Sequence, residues 1–147
     1  MSLEVNKSLV RRAYELSTKK DIAALFKLYD PGYIEHMPDG DHTLEQLKRG
    51  IPAYFSAFPD LTFTIEDMVA EGDKVAYRVT IKGTHTGGPY MGLAPSGKKI
   101  LMRNTSIKRI VNGKLAESWG TLDALNMMRQ LGLIPVRPAP AQQNRTD

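Results

Sequence analysis

Cysteine is absent from the 147-residue chain, which excludes disulfides, thiolate nucleophiles, iron–sulfur clusters and cysteine-type zinc sites together. Long apolar runs are absent too, since no segment approaches the ~20 apolar residues that a bilayer-spanning helix needs. Met1 to Lys7 lack the basic segment and apolar stretch of a secretory leader, so a cytoplasmic protein with no membrane partner is expected. There is no Walker loop, no Gly-x-Gly-x-x-Gly between strand and helix, no His-Glu-x-x-His and no Gly-x-Ser-x-Gly. Phosphoryl transfer, dinucleotide redox chemistry and serine hydrolysis lose support accordingly. Histidine is scarce as well. His36, His42 and His85 share no helical i, i+4 spacing, and no carboxylate completes a recognisable triad with them, so no metal is expected. Acid–base chemistry by side chains alone remains.

What is present suits one ordinary globular domain: 41% apolar and 24% charged residues. Lys plus Arg total 20 against 16 acids, a formal charge of +4. The cations occur in twos and threes along the whole chain (Arg11/Arg12, Lys19/Lys20, Lys48/Arg49, Lys98/Lys99), interleaved with acids. That dispersal describes a solvated surface, and no nucleic-acid partner is expected.

Hydrophobic spacing divides the chain. Val5, Leu9, Ala13 and Leu16 recur every three or four residues and predict an amphipathic helix over 3–17. A second short helix follows Asp21, with Ile22, Leu25, Phe26 and Tyr29 on its apolar face and Asp30-Pro31-Gly32 as its stop. Thr43-Leu44-Glu45-Gln46 is a capping box opening a third helix, in which Gly50 and Pro52 predict a kink or break. From Leu61 the period becomes two, predicting strands through Glu66, over 74–84, over 100–111 and from Lys114 to about Leu122. Asn112-Gly113 is a hairpin signal. A last helix is expected from Asp123 to Leu131, ended by Gly132, and the proline-rich tail over 135–147 is expected to be disordered. Helices followed by a meander of antiparallel strands make an α+β domain over 1–134, its sheet curled over helices around a cavity.

Several side chains carry the candidate chemistry, each with a plainer alternative. Asp123, at the junction of last strand and last helix, is either an N-cap or a carboxylate at the mouth of an apolar cavity, where desolvation would make it a stronger base. His36 lies near the end of a short predicted strand before Met37-Pro38, and His85 follows a strand end; either is an acid–base group or an ordinary surface or hydrogen-bonded histidine. Arg78 lies mid-strand with Thr80 on its side, facing either solvent or a polar pocket. Trp119 shares strand parity with Glu117 and is either core or a ligand platform. Tyr54 and Phe58 lie on the apolar face of the third helix.

Taken in order, Tyr33-Ile34-Glu35-His36-Met37-Pro38, Ala57-Phe58-Pro59-Asp60-Leu61, Glu71-Gly72-Asp73-Lys74-Val75, Gly83-Thr84-His85-Thr86-Gly87, Pro95-Ser96-Gly97-Lys98 and Asn112 through Trp119, then Asp123 and Gln130-Leu131-Gly132, resemble the SnoaL-like polyketide cyclases, or ester cyclases, of the NTF2-like superfamily. The resemblance implies a cone with an internal cavity, a homodimer or homotetramer formed through the outer face of the sheet, and intramolecular aldol condensation of a polyketide ester without metal or organic cofactor. It implies Asp123 as the acid–base residue. His36, His85 and Arg78 would then polarise substrate carbonyls, and Trp119, Tyr54 and Phe58 would pack against a small apolar or aromatic substrate. Two rivals stay open: a non-catalytic small-molecule binding module, and a hydrolase, dehydratase or isomerase on the same scaffold.

Overall fold

The structure, a computed structural model, describes residues 2–136 and 138. The expected disordered tail therefore lies almost wholly outside the described residues. Helix α1 (Leu3–Lys19) starts where Ser2 Oγ accepts from the Val5 amide at 3.2 Å and buries Val10, Ala13 and Leu16. Asp21 caps the five-residue α2 (Ile22–Phe26) by accepting from the Ala24 amide.

Strand β1 (Tyr29–Met37) corrects the sequence reading, which carried the second helix to Tyr29 and placed a stop at Asp30-Pro31-Gly32. The chain is already extended at Tyr29 because that residue pairs with Leu115 far along the sequence. Its ring also meets Tyr33 edge-on at 4.7 Å. Burying two aromatic rings outweighs the local helical preference. A short strand β2 (Gly40–Thr43) hairpins onto β1, too brief and polar to show in the periodicity.

Helix α3 (Leu44–Ala57) opens with the expected capping box: Gln46 Oε1 accepts from the Thr43 amide at 2.7 Å, and Thr43 Oγ1 accepts from the Gln46 amide. Of the kink or break expected at Pro52, the break does not occur: α3 runs through it as one element. Proline leaves one carbonyl without its donor, that of Lys48, which lies on an exposed turn where water can satisfy it.

Strands β3 (Thr62–Glu71), β4 (Lys74–Thr84), β5 (Lys99–Val111) and β6 (Lys114–Thr121) follow, then α4 (Ala124–Gln130). Asn112 and Gly113, at φ 48° and 71°, form the tight turn between β5 and β6. The six strands lie in the order β2-β1-β6-β5-β4-β3. β1 runs parallel to β6, so the sheet is mixed and not the purely antiparallel meander expected.

Strand register decides which side chains share a face. On the inner face, toward the helices, Val75, Lys108, Ser118 and Glu35 form one row across four strands. On the outer face, Ala76, Ile107, Trp119 and His36 form the adjacent row. No helix among the described residues is long and apolar enough to cross a membrane.

Candidate active site

Between α3, the inner face of β1 and the loop after β4 lies a cavity of about 590 Å³, walled by Met37, Leu47, Ile51, Tyr90, Leu122 and Met127. Partly exposed His42 and exposed Asp39 mark its mouth. A second chamber of about 180 Å³ lies deeper, lined by Tyr14, Tyr29 and Lys108 among apolar groups. Glu35, Leu47, Ile51 and Tyr54 line both, so the two chambers adjoin at these four residues, the neck of the funnel that the pair outlines. Mostly apolar walls with a few convergent polar groups are the usual makeup of a small-molecule site.

The polar groups of the funnel are connected. Lys108, 5% exposed, donates to Tyr33 Oη at 3.2 Å, and the Tyr33 hydroxyl is directed at Glu35 Oε1 at 3.5 Å. Ammonium, phenol and carboxylate thus make a chain leading from the sheet to the neck. Tyr14 and Tyr77 share a hydrogen bond of 2.9 Å beside it. Burial disfavours the Lys108 ammonium, while Coulombic attraction to Tyr33, Tyr77, Tyr29 and Tyr14 in their ionised form favours it and carries its pKa above the ordinary lysine value. Burial likewise raises the pKa of Tyr14, Tyr29, Tyr33 and Tyr77, with Lys108 opposing the rise, so these phenols keep their protons and act as donors. Tyr54 stands apart. Its buried hydroxyl has no hydrogen-bond partner among the described residues, an unmet donor at the neck of the funnel.

The residues singled out from the sequence do not converge on this funnel. His36 lies on the outer face, stacked on Trp119 at 5.4 Å between ring centroids, with Nδ1 at 2.7 Å from Asp41 and Nε2 at 2.8 Å from Glu117. Arg109 closes that cluster by donating to Glu117 Oε2 at 2.8 Å. These carboxylates, Glu117 foremost, raise the His36 pKa. Trp119, 36% exposed, is accordingly a surface residue of the sheet and no wall of the cavity. Arg78 also faces outward, in a bidentate pair with Asp67 at 3.0 and 2.8 Å, and Thr80 shares its side as the alternation required.

His85 is fully buried. Its Nε2 donates to the Gly88 carbonyl at 2.8 Å, and Nδ1 lies 3.2 Å from Ser96 Oγ, so both ring nitrogens are occupied in holding the loop between β4 and β5. That loop supplies Pro89, Tyr90 and Met91 to the funnel wall. Phe58, also fully buried, backs Tyr54 and Tyr90 at 5.5 and 5.4 Å without lining the funnel. Tyr54 does line it.

Asp123 is the N-cap residue of α4 by position, yet its side chain makes no cap hydrogen bond; Oδ2 accepts from Asn126 Nδ2 at 3.2 Å. It borders a smaller depression with Arg103, Thr105 and Thr121, and its neighbour Leu122 lines both that depression and the funnel. A further depression of about 620 Å³ lies along the ends of β3, β4 and β5. Its carboxylate, Asp60, is already bound to Thr84 through both oxygens at 2.6 and 2.7 Å.

The sequence reading does not single out Glu35 and Lys108, the charged groups that the structure places along the funnel. Their signal was parity: Lys108 alternates in register with Ile100, Met102 and Ile110, and Glu35 with Tyr33, each a charged residue on a buried face.

Comparison with known proteins places this arrangement. The chain is similar in structure to AclR of Streptomyces galilaeus, named as a candidate hydroxylase, at 26% identity and a TM-score of 0.86, covering 93% of this chain and 87% of that one. It is similar to IdmH of Streptomyces antibioticus, named as a candidate polyketide cyclase, at 28% identity and a TM-score of 0.75, over 86% and 98% of the two chains. TsrD of Streptomyces laurentii matches at 28% identity and a TM-score of 0.80, over 91% and 99%. No protein of curated function matches the chain significantly. The sequence profile of the SnoaL-like polyketide cyclases matches residues 7–131, nearly the whole described domain. With its curved, unclosed sheet over helices and its internal funnel, the chain belongs to the SnoaL-like polyketide cyclase family and has the NTF2-like fold.

Proposed function

We propose that the funnel closes a ring in a polyketide-like ester by intramolecular aldol condensation, with Glu35 as the base. The observation that supports this most is a single carboxylate lining both chambers, with an unmet phenol donor, Tyr54, lining the same neck. A carbon between two carbonyls is acidic enough for a carboxylate to deprotonate. Glu35 takes that proton, and the electron pair of the broken carbon–hydrogen bond delocalises as an enolate. The enolate carbon bonds to a second carbonyl of the same molecule, whose oxygen becomes an alkoxide and recovers the proton from Glu35. Substrate and product are isomers, and no co-reactant is consumed. Tyr54 supplies the hydrogen bond to the oxygen that becomes negative. The apolar walls hold the two reacting carbons together, worth several kcal/mol of entropic barrier.

Glu35→Gln and Asp123→Asn, assayed side by side on an aromatic polyketide ester, test the assignment. With Glu35 as base, E35Q loses about 10²- to 10⁴-fold in turnover while D123N stays within a few-fold of the parent. The reverse pattern would return the role to Asp123, as the family resemblance implies. We place the self-association implied by the same resemblance on the outer face, where Trp119 and Ile107 leave apolar surface exposed.

A further inference from the structure

We propose that the inner chamber is an anion-holding subsite, in which Lys108 and the phenols beside it receive the oxygen of an enolate or phenolate head group. The protein would thereby select substrates whose head group is acidic. The proposal rests on the funnel being the substrate site.

Lys108 is a buried ammonium with unfinished coordination. Of its three hydrogens, one is committed to Tyr33 Oη, and no carboxylate pairs with it among the described residues. The rings of Tyr33 and Tyr29 lie 5.4 and 5.8 Å from Nζ and shelter the charge without neutralising it. A charge kept in such a place is costly unless something completes it. The chamber beside it supplies room for that partner. At about 180 Å³ it holds a head group of roughly six heavy atoms, taking ~30 Å³ for each as for a water molecule.

The neighbouring donors have the same polarity. Tyr14 and Tyr77 bring two hydroxyl hydrogens to one mutual hydrogen bond, which leaves one hydrogen over, and Tyr14 lines the chamber. Glu35 supplies the complementary half. Lys108 and Glu35 stand on either side of Ser118 in one row of the sheet, two strands apart. When the carbon or phenol proton moves to Glu35, the carboxylate becomes neutral and the head group takes the negative charge. The chamber then holds one cation, one anion and a ring of donors. A neutral ketone or an ester without an acidic hydrogen makes no comparable use of Lys108. The substrate class that follows is a β-dicarbonyl or phenol-like head, small enough for the inner chamber, on a flat apolar body that fills the outer one.

The test uses 4-nitrophenol, whose anion is yellow and whose neutral form is colourless, bound to the intact protein at a pH where the free dye is mostly neutral. The bound dye should show the anion spectrum, and the protein should bind nitrobenzene, which lacks the acidic group, far more weakly. Lys108→Met should weaken binding of the anion by roughly 10- to 100-fold, the worth of a hydrogen bond to a charged group, and Lys108→Arg should restore part of it. Circular dichroism and melting confirm that each variant is folded, and the comparison with nitrobenzene needs no variant at all. A colourless bound dye, equal binding of nitrobenzene, failure to bind the dye, or undiminished anion binding by folded K108M would each overturn the proposal. Ring closure with a colourless bound dye removes this inference alone. A yellow bound dye without ring closure of any ester removes the assigned reaction and leaves the subsite standing.

Discussion

Replacing His85 separates a group that acts on substrate from one that holds the wall of the site. The imidazole is fully buried against Phe58 at 5.3 Å between ring centroids, and its two nitrogens bridge Gly88 and Ser96 at opposite ends of one loop. His85→Ala removes two buried hydrogen bonds, about 1 kcal/mol each, and leaves a ring-sized hole. Together these place the cost in the range of about 3–5 kcal/mol known for aromatic truncations in packed cores. In a domain of this size that lowers the melting temperature by about 10–16 °C. Because Pro89, Tyr90 and Met91 ride on the same loop, KM for the ester should rise while kcat falls only modestly. Urea titration with parallel steady-state kinetics measures both. A variant that keeps parental stability but loses turnover by orders of magnitude would refute the holding role and make His85 part of the chemistry.

Other expectations follow from the same geometry. Gly87→Ala would drive a methyl into the Ser56 carbonyl oxygen and to 2.8 Å from Pro59 Cγ, so it should destabilise the loop junction by about 1–3 kcal/mol in denaturant titration. The raised His36 pKa means that the folded state binds that proton more tightly than the unfolded one. Its stabilisation is therefore complete below the unfolded histidine value and is lost as pH rises through the higher folded value. The lowered Glu117 pKa acts oppositely and is lost on acidification. His36→Gln should flatten the alkaline side of the stability–pH curve without abolishing turnover. Arg78→Ala removes an exposed pair and should leave both stability and kcat/KM close to the parent. Trp119→Glu, placing charge on the outer face, should shift sedimentation toward the monomer while ring closure persists in the folded subunit.

Local chemistry made much of the fold legible. The apolar spacing of α1, the Thr43–Gln46 capping box, the Asn112-Gly113 turn and the alternation along β4 are each set by residues within a few turns or one strand. β1 was less legible because Tyr29 and Glu35 take their places from β6, some eighty residues away, and a parallel neighbour leaves no turn signal in the sequence.

The lining of the funnel was hard to read from the sequence for a related reason. Alternation correctly grouped Arg78 with Thr80 and Trp119 with Glu117, but a half-polar strand does not announce which parity faces the helices. The decisive clue was Lys108 in register with Ile100, Met102 and Ile110. A lysine there usually keeps its head in water by extending along apolar surface, so its burial becomes visible only once Tyr29, Tyr33 and Tyr77 close around it. His85 was recognisable as a special residue. Its partners Gly88 and Ser96 lie on a loop whose path no local rule predicts.

A crystal of the protein soaked with an unreactive aromatic β-dicarbonyl mimic of the ester locates the chemistry directly. The mimic should lie in the funnel with its enolisable head against Lys108, its central carbon beside Glu35 and a carbonyl oxygen at Tyr54. Density in the smaller depression bordered by Asp123 and Arg103, with the funnel left to solvent, would contradict the placement of the active site.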